Sequence, residues 1–153
     1  MRRPPAIILA SIAVIVLLGA FAYANSIHGS FIWDDIAFVK DNPLIKSWSN
    51  LGRIFTKDIA TSLGEGGVKY NFYRPIHMLT CMADYSLWGL RVEGYHFTNI
   101  LLHILVALCL CWLCNILFGD AVLSLFASVL WLLHPIHTAA VSYISGRADP
   151  FAL

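Results

Sequence analysis

Three uncharged apolar stretches of membrane-crossing length constrain this chain more than any other feature. Ala6 to Ala24 runs for 19 residues without a charge, close to the ~20 that an α-helix needs to cross a ~30 Å hydrocarbon core. A second stretch extends from Tyr95 to Phe118, and a third begins at Ala121 and reaches about Ile144. The chain is 59% hydrophobic, only 12% charged and has a mean hydropathy of +0.72, which is far from a soluble domain. The expected class is an all-α polytopic membrane protein with spans at about 6–24, 95–118 and 121–144. A formal charge of +1 with no basic stripe among stacking aromatics excludes a nucleic-acid partner.

Arg2 and Arg3 precede the first span, so the positive-inside tendency keeps the N-terminus cytoplasmic and makes residues 25–94 a long exoplasmic first loop. That loop carries Lys40, Lys46, Arg53, Lys57, Lys69, Arg74 and Arg91, but it exceeds the ~60 residues over which loop charges set orientation. Ala22-Tyr23-Ala24 resembles a signal-peptidase site. The apolar stretch before it is longer than the roughly 7 to 15 residues of a signal sequence, which favours a retained anchor. Cys109, Cys111 and Cys114 lie inside the second span as small apolar side chains, and with Cys81 alone in the loop no disulfide framework is implied.

Within the loop, Phe31 to Lys40 reads as a short helix capped by Asp34 and ended by Asn42-Pro43. Trp48, Leu51 and Phe55 fall at helical spacing, the pattern of a small helix lying on the membrane surface. Gly64, Gly66 and Gly67 mark a flexible, lid-like loop. Pro75 opens a helix to about Trp88 with Ile76, Leu79, Ala83 and Leu87 along one face. That helix is too short to span and contains Asp84, so it is expected to be interfacial or re-entrant.

Polar residues recur at matched depths. His96, Asn99 and His103 lie on one side of the second span. A tight turn at Gly119-Asp120 makes the third span antiparallel to it, which brings His134 and His137 to overlapping depth. Ionisable groups there are costly in lipid and line a bundle interior or an aqueous pocket. Pro135 is expected to bend the third span.

The chemistry-bearing candidates have plain alternatives. Asp34 and Asp35 are adjacent, so they point in different directions; one is suited to act as base and the other to orient it or to cap a turn. Arg74, after Tyr73, has a guanidinium fork that matches phosphate oxygens, or it reaches for lipid headgroups. His134 and His137 suit a metal or a phosphate, and a divalent cation is left open as a ligand. Arg147 and Asp149 pair with one another or with a substrate phosphate and a nearby amide.

Taken in order, Phe31-Ile32-Trp33-Asp34-Asp35, Asn42-Pro43, Tyr73-Arg74-Pro75, Tyr95-His96 with Asn99 and His103, and His134-Pro135 with His137, Val141, Ile144, Gly146, Arg147 and Asp149 resemble the N-terminal part of the transmembrane and tetratricopeptide-repeat-containing O-mannosyltransferases and their prokaryotic relatives, which are GT-C glycosyltransferases. The resemblance runs from about Ile27 to Leu153. It implies a GT-C-like helical bundle whose exoplasmic active site moves a mannose-like hexose from a polyprenyl-phosphate carrier to a protein or glycan acceptor. It places Asp34 or Asp35 at the catalytic centre. Arg74, His134, His137 and Arg147 become candidates for the donor phosphate, with Tyr73, His96, Asn99, His103 and Asp149 in support. It implies an integral membrane location, the cytoplasmic membrane in a bacterium or the endoplasmic reticulum in a eukaryote. Such proteins continue through further spans, so residues 1–153 are expected to be incomplete at the C-terminus. The rival readings are a metal-binding or transport module built from Asp34, His96, His103, His134 and His137, and a non-catalytic assembly subunit.

Overall fold

The computed structural model describes residues 5–56 and 73–148, and every regular element among them is helical. The first span, α1 (Pro5–Tyr23), runs on as a 3-10 turn over Ala24–His28. Ser26 closes the helix end by donating its hydroxyl to the Tyr23 carbonyl at 2.7 Å. A short helical turn follows from Asp34 to Lys40, and Asn42 ends it as its neighbour Pro43 implies. The Asn42 amide donates back to the Phe38 carbonyl at 3.1 Å, and its side-chain oxygen accepts from Leu44 N at 2.9 Å to start the next turn. Trp48, in the 3-10 turn Trp48–Asn50, and Leu51 and Phe55 of helix α2 (Leu51–Thr56) are exposed, while Ile54 is buried. The glycine-rich stretch read as a lid lies outside the described residues.

Helix α3 occupies Pro75–Trp88, the bounds expected from its proline and its apolar pattern. Its orientation is the reverse of a soluble helix. Ile76 and Leu87 of the apolar stripe are exposed, while His77, Met78, Cys81, Met82 and Asp84 are buried. In a bilayer the outward apolar face is the solvated one, so no water drives that stripe inward.

The second span, α4 (Val92–Phe118), starts earlier than expected. At ~1.5 Å per residue its 27 residues reach about 40 Å, longer than a ~30 Å hydrocarbon core, an excess that tilt or protruding ends take up. Gly119, at φ 65°, takes the left-handed conformation that closes a helix end and donates to the Asn115 carbonyl at 3.1 Å. Asp120 then caps α5 (Ala121–Leu133) by accepting from Val122 N and Leu123 N at 2.8 and 3.1 Å. The third span does not continue unbroken to 144. His134 is extended (φ −66°, ψ 129°), the conformation a following proline imposes. The chain restarts as a 3-10 turn at Pro135–His137 and helix α6 (Thr138–Ser142), bent by 49° from α5.

Two apolar cores result. Ile15 and Tyr23 of α1, Ile100, Ile104 and Ala107 of α4, Leu132 and Val141 pack the spans together. Val39, Leu44, Ile45, Ile54, Met78, Cys81, Met82, Tyr95 and Ile144 form a second core, in which loop segments pack against α3 and the ends of the spans. Asp35 and Arg147 lie beside this second core, and Asn99 and His103 beside the first.

Candidate functional site

Trp33 sets the geometry of the carboxylates. Its φ of 46° is left-handed, the only such value at a non-glycine among the described residues, and the helical turn begins immediately after it. Successive residues of that turn rotate by about 100°, so Asp34 faces outward while Asp35 is fully buried. Asp35 accepts three hydrogen bonds: from Ser145 N at 2.8 Å and Ser145 Oγ at 2.7 Å on Oδ1, and from Ile32 N at 3.3 Å on Oδ2. A buried carboxylate requires such partners. The carboxylate that engages backbone here is therefore Asp35, not the expected cap Asp34. Tyr143 stands beside them, its ring edge-on to Trp33 with 6.3 Å between centroids. Burial and then the negative charges of Asp34 and Asp35 push its hydroxyl up to about 12.

Arg147 is placed inside. It is fully buried and donates through Nη1 to Asp84 Oδ2 at 2.5 Å and Thr80 Oγ1 at 3.4 Å, and through Nη2 to the Tyr95 carbonyl at 3.2 Å. Asp84 Oδ1 in turn accepts from the Thr98 hydroxyl at 2.7 Å. Burial raises the Asp84 carboxyl above the usual carboxylate range, opposed by the Arg147 guanidinium and the Thr98 hydroxyl. Asp149, the other partner weighed for Arg147, lies outside the described residues. His77 of α3 is buried nearby and held down to about 3 by desolvation, then by the positive charges of Arg147 and Arg74.

His96, Asn99 and His103 of α4 are buried, and two of them end on backbone. His103 Nε2 lies 3.0 Å from the Leu132 carbonyl, which also accepts from the Tyr23 hydroxyl at 2.9 Å. That carbonyl has lost its helical partner, because the Ile136 amide instead donates to His134 Nδ1 at 3.2 Å. Asn99 Nδ2 likewise donates to the Val141 and Tyr143 carbonyls at 3.1 and 3.0 Å, where α6 ends. His96 is buried with both ring nitrogens unpartnered and packs so closely on Gly29 that a Cβ there would come within 2.5 Å of Nε2.

His134 is exposed and His137 half-buried, their rings 6.2 Å apart. His137 also lies 4.4 Å from the Trp131 ring and 5.4 Å from His103, so the matched depths do bring these side chains together. Arg74 is exposed at the start of α3, and exposed Tyr73 donates its hydroxyl to the Phe55 carbonyl at 2.8 Å. Among the described residues no three His, Cys, Asp or Glu side chains converge as a metal site. The five residues named for a metal or transport module do not form such a cluster.

Sequence reasoning passes over Ser145, Tyr143, Thr80 and Thr98, small polar or aromatic residues without a motif, and reads Tyr23 only within a cleavage-like tripeptide. It reads Asp84 only as a reason that α3 does not span. A carboxylate in an otherwise apolar helix is the signal for a buried cationic partner.

The fold and these clusters define a polytopic α-helical membrane protein in which buried polar groups tie irregular chain to the spans at one end. Its sequence is 36% identical over 132 residues to the protein O-mannosyl-transferase tmtc2 of Xenopus laevis, covering 86% of this chain and 16% of that protein. It is 35% identical to human TMTC1 over 144 residues, 92% of this chain and 16% of the relative, and 34% identical to human TMTC3 over 142 residues, 92% and 15%. Over the region it covers, the chain belongs to the family of these protein O-mannosyl-transferases, and it spans only about a sixth of their length. No family model and no solved structure matches it.

Proposed function

We propose that this chain is the catalytic-loop portion of a membrane glycosyltransferase that moves a mannose-like hexose from a polyprenyl-phosphate carrier to a protein acceptor on the exoplasmic face. The observation that carries this reading is the division of labour between two adjacent carboxylates. Asp35 is buried and fully engaged, and it fixes the turn that presents Asp34 at the surface. The names of the relatives support the reaction class.

Asp34 takes the proton of an acceptor hydroxyl as the oxygen bonds to the anomeric carbon. The carbon–oxygen bond to phosphate breaks, its electron pair leaves with the polyprenyl phosphate, and the anomeric centre inverts. Arg74, His134 and His137 are the cations or donors proposed to meet the leaving phosphate. Arg147 holds α3 against the segment that carries Ser145 and so acts as a positioning residue.

In the full-length protein, Asp34→Asn is expected to lower transfer at least about 100-fold, the low end for a lost general base, with membrane insertion unchanged. Asp35→Asn is expected to lower the folded yield as well. A specific observation favours a second reading: Tyr23, Asn99, His103, Asp35 and Arg147 all end on partners within the chain, as they would in a non-catalytic assembly subunit. That reading requires Asp34→Asn to be silent, so wild-type transfer by this variant decides against the proposal.

A further inference from the structure

We infer that Trp33, backed by Tyr143, is the wall on which the transferred hexose stacks beside Asp34; this rests on the transferase reading above. Trp33 is 81% exposed, yet its backbone holds a left-handed φ of 46°. A bulky residue at positive φ is an outlier that persists only where the surroundings over-determine it, and such strain collects at functional sites. Here the surroundings are firm. Asp35, two residues on, is tied to Ser145 at 2.7 and 2.8 Å. The Tyr143 carbonyl is held by Asn99 at 3.0 Å, and the Tyr143 ring stands edge-on to the indole.

Two ligands suit an exposed tryptophan near the end of a span: the lipid interface, where tryptophans concentrate, and a sugar ring. The adjacent group decides between them. Asp34 is exposed next to Trp33, and sinking the indole among acyl chains would draw a carboxylate toward them at high cost. A hexopyranose matches both neighbours. Its ring presents a patch of C–H groups of positive character to the electron-rich indole face, while its hydroxyls donate to an acceptor-only carboxylate. Interface anchoring also asks for no strained backbone.

The test uses the full-length protein. With short-chain polyprenyl-phosphate mannose as donor, Trp33→Leu is expected to raise the donor KM roughly tenfold and to change kcat little, whereas Trp33→Phe, which keeps a flat aromatic face, stays near wild type. A second readout does not depend on turnover or on how the leucine variant folds. In protein labelled with 5-fluorotryptophan, the Trp33 fluorine resonance, assigned by its loss in Trp33→Phe, is expected to shift with that donor and not with polyprenyl phosphate lacking the sugar. An equal shift with both lipids, or an unaltered donor KM in a folded, active Trp33→Leu protein, overturns the stacking wall and leaves an interface anchor. A sugar-specific shift in wild-type protein that transfers nothing overturns the transferase reading alone.

Discussion

Arg147 illustrates how a residue's role follows from its partner rather than its type. An arginine near the end of the bundle reads equally well as a phosphate ligand, and only the fold reveals that its fork is occupied by Asp84, Thr80 and the Tyr95 carbonyl. The pair is 63 positions apart, and no local pattern links residues at that separation. Removing one member of a buried pair leaves the other charged and unpartnered, which costs about 3–5 kcal/mol, whereas replacing both with apolar groups of similar shape is close to neutral. Arg147→Met and Asp84→Leu are each expected to lower thermal stability in detergent sharply, and the double variant to recover most of the loss. Additive losses in the double variant would show that the two groups do not depend on one another. By contrast, the split between Asp34 and Asp35 was legible in kind, since adjacent helical residues diverge. Which of the two is buried depends on Ser145, a residue without a motif.

At the level of elements, the spans and α3 follow from apolar length, Pro75 and the Gly119-Asp120 turn, and Pro135 announces the break in the third span. What the sequence leaves open is where the freed backbone groups go. The Leu132 carbonyl lies just before the break and accepts from both Tyr23 and His103, one donor from each of the other two spans. In a bilayer no water replaces a lost donor, so a carbonyl at that depth must be satisfied from within the protein. With two lone pairs, it tolerates the loss of one donor better than the loss of both. Tyr23→Phe or His103→Phe alone is therefore expected to cost about 0.5–1.5 kcal/mol, and the double variant more than the sum. A thermal-denaturation cycle measures the coupling; strict additivity would mean that the break is held by packing alone. The same argument explains why His103 and Asn99, which read from sequence as lining a site, also brace the bent chain.

For the molecule as a whole, the sequence reading and the fold agree that polar chemistry collects at one end of an antiparallel bundle. Trp33, Asp34, Tyr143, His134 and the start of α4 lie there, because α1 and α5 run toward it and α4 runs away from it. The opposite end carries the Asp120 turn, a full length of α4 distant, about 40 Å along 27 residues. Lys40 and Glu93 are exposed at the first end and Asp120 at the second, and none of the three is placed in the chemistry. Single cysteines at these positions, in an otherwise cysteine-free full-length protein, report sidedness through an impermeant maleimide. Lys40→Cys and Glu93→Cys are expected to label from the exoplasmic side only, and Asp120→Cys only after the membrane is permeabilised. The exoplasmic assignment rests on Arg2 and Arg3 and on the length of the first loop, while the separation of the two ends rests on α4 crossing once. The pattern therefore separates two errors: full inversion of the three signals would keep the bundle and reverse its orientation, which removes the exoplasmic active site. Labelling of 93 and 120 from the same side would mean that α4 does not cross, and the collected polar end would lose its physical basis.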